Sequence, residues 1–222
     1  MEKENKGLPL YFLDDRLDFP SVEKANADGL LAVGGDLSPE RLLLAYKKGI
    51  FPWFNDDDLI LWWSPDPRMV LFPHKVKISK SMGKLLQRDE FRLTKNEAFE
   101  EVLSHCAQQK RKGQEGTWIT KNMRMAYLEL HKRGFAKSYE VWKEGILVGG
   151  LYGVDLGKVF CGESMFSTVS NASKYAFIKL AEELDQKKYT LIDCQVYTDH
   201  LRSLGAEEIP RKQFIQLLER HV

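Results

Sequence analysis

Residues 191–197 read Leu-Ile-Asp-Cys-Gln-Val-Tyr, an apolar, β-branched run that two polar residues interrupt. The run is typical of a buried strand, and the residues after it, up to Gly205, predict a short helix. In an extended chain the period of two would put Asp193 and Gln195 on one face, about 7 Å apart, and Cys194 on the other. Two interpretations fit this stretch: a core carboxylate bonded to a backbone turn, or one wall of an active site.

The composition limits what kind of protein this is. The chain has 222 residues with a formal net charge of +1, which suits one large domain or a medium domain with a small partner. Such a balance excludes a histone-like DNA binder, so any nucleic-acid contact needs a local basic face. Three cysteines without paired spacing predict reduced thiols, no metal site and a cytoplasmic location. No apolar run approaches 18 residues, which predicts no membrane partner.

The order of the predicted elements indicates the fold. Residues 1–62 are predicted to form a small, loop-rich domain, with one helix that begins at the cap Ser38 and ends at Gly49. Residues 63–222 are predicted to form a second domain, in which three strands between 138 and 165 make an antiparallel meander. A helix over 171–187, the strand quoted above and a closing helix follow. This order indicates an α+β fold with an acyltransferase-type core.

A basic stripe is predicted on one helix of the second domain. The helix would span 79–88 and carry Lys80, Lys84 and Arg88 at positions i, i+4 and i+8. Together with the Lys-Arg-Lys run at 110–112, the stripe is suited to binding the phosphates of an RNA stem. Taken singly, each of these residues fits a solvated helix face better.

Six short motifs are spread along nearly the whole chain. They read Gly-Gly-Asp-Leu-Ser-Pro at 34–39, Gly-Ile-Phe-Pro-Trp-Phe at 49–54, Trp-Trp-Ser-Pro-Asp-Pro-Arg at 62–68, Gly-Thr-Trp-Ile-Thr at 116–120, Gly-Glu-Ser-Met-Phe-Ser at 162–167 and Ile-Asp-Cys-Gln at 192–195. In this order they resemble the leucyl/phenylalanyl-tRNA-protein transferase family. The resemblance implies a small N-terminal domain and a C-terminal domain similar to the GNAT acetyltransferase fold, working without a cofactor.

The resemblance also implies a reaction. Leu or Phe, and Met as well, would pass from aminoacyl-tRNA to the N-terminal Arg or Lys of an acceptor protein, forming a peptide bond and marking that protein for degradation by the N-end rule. The acceptor's α-amino group has a pKa near 7.7 to 8.0 and is partly neutral at pH 7, so a weak base and good positioning would suffice. The carbonyl oxygen of Gln195 could aim the amine, and Asp193 could offset its developing charge. The resemblance assigns catalysis to this pair.

Substrate-binding residues follow from the same resemblance. Trp53 and Trp118 would stack on the terminal adenosine of the tRNA, although each also fits a core tryptophan. Glu163 would hydrogen-bond the nucleotide or aminoacyl part of the donor. Two positions of the donor pocket depart from the family pattern, which has Met and Phe at 151 and 180, and Thr198 stands where Asn is frequent. The predicted pocket residues are Phe160, Met165, Ser167, Ile192, Leu151 and Leu180.

Two other functions also fit parts of the sequence. An acyl-CoA-dependent N-acetyltransferase would share the core, but such enzymes usually bind the CoA pyrophosphate at a glycine-rich turn, and residues 165–171 contain no glycine. A non-catalytic RNA-binding module would explain the tryptophans and the basic stripe. It would give no reason for Asp193 and Gln195 to share a strand face.

Overall fold

The computed structural model describes residues 10–55, 59–109 and 119–222. The strands nearest the N-terminus are β1 (Tyr11–Leu13), β2 (Leu30–Gly34), β3 (Phe51–Pro52) and β4 (Leu61–Trp63). They form a small sheet in the order β1-β2-β4-β3. Helix α1 (Pro39–Lys47) begins at Ser38, whose hydroxyl accepts the backbone N–H of Arg41 at 3.3 Å. It ends at Gly49, which has a φ of +73° that glycine adopts without strain. The predicted start and end of this helix are confirmed.

The second sheet is larger and mixed. Its strands are β5 (Arg68–Leu71), β6 (Arg92–Lys95), β7 (Ala136–Lys143), β8 (Ile146–Asp155), β9 (Val159–Ser167), β10 (Leu191–Gln195) and β11 (Glu207–Ile209). They lie in the order β11-β5-β10-β9-β8-β7-β6. Strands β7, β8 and β9 form the predicted antiparallel meander, and β10 pairs in parallel with β9. The predicted α+β fold is confirmed.

Helices cover this second sheet. In the described residues they are α2 (Lys80–Leu86), α3 (Phe99–Gln108), α4 (Lys121–Lys132), α5 (Ala172–Gln186), α6 (Asp199–Ser203) and α7 (Arg211–His221). Helix α5 connects β9 to β10, as a parallel pair of strands requires. Helix α2 is shorter than predicted, and Arg88 lies beyond its C-cap Gln87. The predicted continuous stripe of three basic residues on one helix is therefore wrong.

One buried apolar cluster extends across both sheets. It includes Trp62 of β4, Val70 of β5 and Phe214 of α7. The predicted domain boundary between residues 62 and 63 falls inside β4, where the packing is continuous. The division into two domains stays a prediction.

The parallel pair β9 and β10 separates before either strand ends. Their pairing runs from Leu191 opposite Val159 to Asp193 opposite Cys161 and stops there. Strand β9 nevertheless continues to Ser167 and β10 to Gln195. The two strands leave a gap beyond this point, and polar side chains from both strands occupy its edge. This gap positions the site.

Candidate active site

A cavity of about 320 Å³ opens where β9 and β10 part. Residues from the first sheet, from β8, β9 and β10, and from helices α5 and α6 line it. Eight of the residues predicted from the sequence are among them: Trp53, Leu151, Phe160, Glu163, Met165, Leu180, Ile192 and Gln195. Side chains separated by up to 142 residues in the chain thus meet in one cavity.

Two predicted catalytic or substrate-binding residues that the structure describes, Ser167 and Asp193, are not part of this lining. Trp118 lies outside the described residues, as do positions 110–112. The hydroxyl of Ser167 donates to the carbonyl of Val169 at 2.7 Å and accepts the N–H of Ser173 at 3.3 Å, so it caps the start of α5. Ser167 is absent from the cavity lining, and its place in the donor pocket stays a prediction. Asp193 is also absent from the lining, for a different reason.

Asp193 is held in a buried ion pair with Arg68. The guanidinium donates from Nε and Nη2 to the two carboxylate oxygens at 2.8 and 2.7 Å, and both residues are 1% exposed. Arg68 also lies between the rings of Phe51 and Phe214, at 4.8 and 4.7 Å from their centroids. These contacts join β3, β5, β10 and α7. The pair is therefore a structural link between the two sheets, and its carboxylate points into protein.

The backbone at Gln195 explains why alternation along β10 fails. Gln195 has a φ of +65°, and the pairing of β10 with β5 shifts register between Asp193 and Gln195. The N–H of Gln195 donates to Asp193 at 3.0 Å, which holds this left-handed turn. As a result Cys194 lines the cavity and Asp193 does not. The prediction that Asp193 and Gln195 aim at one space, with Cys194 on the other side, is wrong.

A hydrogen-bonded cluster of neutral donors surrounds Glu163. Gln195 Nε2 donates to one carboxylate oxygen at 2.8 Å, and Tyr127 donates to the other at 2.7 Å. The hydroxyl of Tyr46 lies 2.5 Å from that of Tyr127. Burial raises the pKa of Glu163 to about 7, while these bonds act to lower it and the charge of Asp193 to raise it. Neither Tyr46 nor Tyr127 was among the site residues predicted from the sequence.

The mouth and the inner wall of the cavity differ in character. Trp53 is 40% exposed at the mouth, and its carbonyl accepts the indole N–H of Trp63 at 2.7 Å. The inner wall is apolar and includes Phe177, which the sequence analysis missed. Phe177 precedes Leu180 by three residues on α5, so helical spacing from Leu180 would have found it. Such a cavity accepts an apolar side chain inside and a flat ring outside.

Two further residues of the lining were also missed. Cys194 is buried, and burial raises the pKa of its thiol well above the ordinary value, so it stays protonated. His200 on α6 has a pKa that burial and Lys174 both lower. Thr198, whose role the sequence left open, lines the cavity and caps α6, since its hydroxyl accepts the N–H of Leu201 at 3.2 Å.

The basic residues Lys80, Lys84 and Arg88 are exposed on and after α2. In the described part of the chain, the charge of Arg88 acts on the nearby carboxylate of Glu90 and helps to lower its pKa. The role of the three basic residues in binding tRNA stays a prediction. Elsewhere in the described residues there is no group of three His, Cys, Asp or Glu side chains that could hold a metal. Nor does any helix of the described chain have the length and apolarity to cross a membrane.

Comparison with known families gives one consistent result. A family model described as leucyl/phenylalanyl-tRNA protein transferase matches residues 70–219, and the model of its N-terminal domain matches residues 35–66. A leucyl/phenylalanyl-tRNA–protein transferase from Flavobacterium johnsoniae is 60% identical over 95% of this chain and 99% of its own length. One from Christiangramia forsetii is 56% identical over 94% and 100%, and one from Pseudomonas fluorescens is 54% identical over 93% and 92%.

Solved structures give much weaker matches. A GCN5-related N-acetyltransferase from Kribbella flavida aligns at 10% identity over 75% of this chain and 59% of its own, with a TM-score of 0.36. A ribosomal-protein-alanine N-acetyltransferase from Brucella melitensis aligns at 16% identity over 57% and 89%, also with a TM-score of 0.36. These alignments are too loose to support an argument about the site.

Proposed function

This chain belongs to the leucyl/phenylalanyl-tRNA protein transferase family, and we propose that it moves Leu, Phe or Met from aminoacyl-tRNA to the N-terminal Arg or Lys of acceptor proteins. It is an aminoacyltransferase, with aminoacyl-tRNA and protein as its substrates. The observation that carries the proposal is the apolar cavity that ends at the Glu163–Gln195 pair. The proposed consequence for the acceptor is degradation, and the proposed setting is the cytoplasm, in keeping with three unbridged cysteines.

The choice of donor follows from the inner wall of the cavity. Leu151, Phe160, Leu180 and Ile192 are buried and offer shape without charge. A charged donor side chain would lose hydration there without a partner, at a cost of several kcal/mol. Val has one methylene fewer than Leu, which is worth about 1 to 3 kcal/mol in an apolar pocket, so its rejection should be graded.

The test compares transfer rates from tRNAs charged with Leu, Phe, Met, Val, Ile and Lys to one peptide with N-terminal Arg. We expect efficient transfer of the first three, slow transfer of Val and Ile, and almost none of Lys. Efficient transfer of Lys would contradict the assignment of the donor pocket. Transfer of an acetyl group from acetyl-CoA instead of any aminoacyl group would favour the acetyltransferase alternative.

Binding of the tRNA is proposed to use stacking and phosphate contacts. The half-exposed ring of Trp53 at the mouth supports stacking on the terminal adenosine, in which Trp118 is proposed to join. Lys80, Lys84 and Arg88 are proposed to contact acceptor-stem phosphates. Replacing all three by Ala should lower the slope of log affinity against log salt by up to about 2 without changing donor choice. The matched control replaces three other exposed lysines, Lys47, Lys48 and Lys212, and should leave the slope unchanged.

Catalysis is proposed to use Gln195 and Asp193 in different ways. An ionised carboxylate only accepts hydrogen bonds, so Gln195 turns its NH₂ group towards Glu163 and keeps its carbonyl oxygen for the attacking amine. Asp193 is proposed to act through the backbone of Gln195, whose N–H it accepts, and so to hold the amide in place. Its bidentate bond to Arg68 supports this positioning role over direct contact with the amine.

A further inference from the structure

Glu163 combines features that the catalytic pair lacks. It is the one carboxylate among the described residues that line the cavity, and only 8% of its surface is exposed. No Lys, Arg or His of the described chain lies within 4.0 Å of its oxygens, so its charge is balanced by hydrogen bonds alone. Burial without a cation disfavours the ionised form, which makes such a carboxylate ready to take a proton.

The tyrosines behind Glu163 can only donate to it. Burial raises the pKa of both Tyr46 and Tyr127 well above the ordinary value, so both hydroxyls keep their protons. Tyr127 gives its hydrogen to Glu163, and Tyr46 then donates to Tyr127. This chain fixes one carboxylate oxygen from α1 and α4. The other oxygen faces Gln195, the residue proposed to aim the amine.

We propose that Glu163 takes the proton that the acceptor's α-amino group loses as it attacks the aminoacyl ester. This inference rests on the proposed function. The nitrogen–carbon bond forms, and the bond from the carbonyl carbon to the ribose oxygen breaks with its electron pair on that oxygen. One proton leaves the nitrogen to Glu163, and Glu163 then gives it up, so that it ends on the ribose oxygen and the carboxylate is regenerated. The sum is an amide and a free ribose hydroxyl, so no other reactant is needed.

The neighbouring groups leave few other acceptors for this proton. Gln195 is not basic, and Asp193 faces Arg68 away from the cavity. Burial raises the pKa of Cys161, beside Glu163 on β9, so that thiol stays neutral. His200 lines the same cavity from α6, and burial there lowers its pKa. Glu163 and His200 are therefore the two candidates that an experiment must separate.

The experiment measures kcat/KM for a peptide with N-terminal Arg between pH 5 and 9, with Leu-tRNA as donor. The wild type needs a neutral amine, with a pKa near 7.7 to 8.0, and an ionised Glu163, whose pKa burial raises to about 7. Below pH 6.5 a plot of log kcat/KM against pH for the wild type should therefore rise with a slope of two. Glu163→Gln should lower the rate at pH 7.5 by about 10²- to 10⁴-fold and leave a slope of one. Glu163→Asp should recover part of the rate and the slope of two.

Glu140→Gln is the matched control. Glu140 is fully buried on β7, where Thr94 donates to it at 2.6 Å, and it does not line the cavity. This variant also removes a buried carboxylate and should keep the slope of two. Tyr127→Phe removes a donor that lowers the pKa of Glu163, so its acidic limb should move to higher pH.

The proposal is overturned if Glu163→Gln keeps the slope of two. It is also overturned if the slope of two is lost in His200→Asn and not in Glu163→Gln. Equal losses of Leu-tRNA affinity and of rate in Glu163→Gln would also overturn it, because Glu163 would then serve only donor binding. Absence of transfer by the wild type would overturn the proposed function itself, whereas transfer with an unchanged slope would overturn only the role of Glu163.

Discussion

Two buried carboxylates lie close together on neighbouring strands, but their surroundings differ. Asp193 on β10 meets the guanidinium of Arg68 in two hydrogen bonds, between two aromatic rings. Glu163 on β9 meets an amide and a tyrosine hydroxyl, and no cation of the described residues forms an ion pair with it. A cation at hydrogen-bond distance stabilises the ionised form, whereas burial among neutral donors leaves it close in free energy to the protonated form. The difference separates a carboxylate that holds the fold from one that can exchange protons.

The largest expected effect comes from breaking the buried ion pair. Asp193→Asn leaves the charge of Arg68 buried without a partner and should lower the free energy of unfolding by about 3 to 5 kcal/mol. Urea unfolding followed by tryptophan fluorescence measures this change. The double variant Arg68→Met with Asp193→Leu should recover most of the loss, because both charges are gone. Full stability with a lost transfer rate would instead place Asp193 in the chemistry.

The second prediction concerns the stability conferred by Glu163 as pH changes. Its pKa in the folded protein is raised to about 7, above the ordinary value of 4.5, so the folded state binds the proton more tightly than the unfolded state. The contribution to stability is complete below pH 4.5 and is lost as pH rises through 7, by about 3 kcal/mol. In Glu163→Gln this fall should vanish. If the free energy of unfolding changes with pH in the same way in the variant and the wild type, Glu163 does not differ from Asp193 as described.

Removing the amide between the two carboxylates should affect rate more than stability. Gln195→Ala should lower the single-turnover transfer rate by about 10- to 100-fold, or about 1.4 to 2.8 kcal/mol, because the amine is no longer aimed. The dissociation constant of Leu-tRNA should stay within about twofold of the wild type. Gln213→Ala, at an exposed glutamine on α7, is the control. A parallel loss of tRNA affinity would mean that Gln195 holds the donor.

The smallest effect is expected at Ser167, a polar residue that is absent from the cavity lining. Ser167→Ala removes the hydroxyl that caps the start of α5 and should cost about 1 kcal/mol of stability. The ratio of transfer rates from Leu-tRNA and Phe-tRNA should not change. A changed ratio of the two transfer rates would show that Ser167 lines the donor pocket.

The sequence by itself determined the local elements, and it pointed to eight residues of the cavity wall. Ser38 and Gly49 carry the start and end of α1 in their own chemistry, and turn residues separate the strands of the meander. The family resemblance named Phe160 and Ile192 as pocket residues, and both lie in the cavity. Helix caps and turns depend on neighbours within a few residues, so the local pattern reveals them, whereas the pocket residues came from the family resemblance.

Only the tertiary structure decided which polar groups meet. Arg68 and Asp193 are 125 residues apart, and Tyr46 and Tyr127 are 81 apart, so no local spacing relates them. The period of two failed at Gln195 because its backbone turns left-handed, with its N–H bonded to a carboxylate that is itself held by Arg68. The pKa of Glu163 likewise depends on burial that the whole fold creates. Charge partners and dielectric surroundings are properties of the packed chain, because residues distant in sequence supply them.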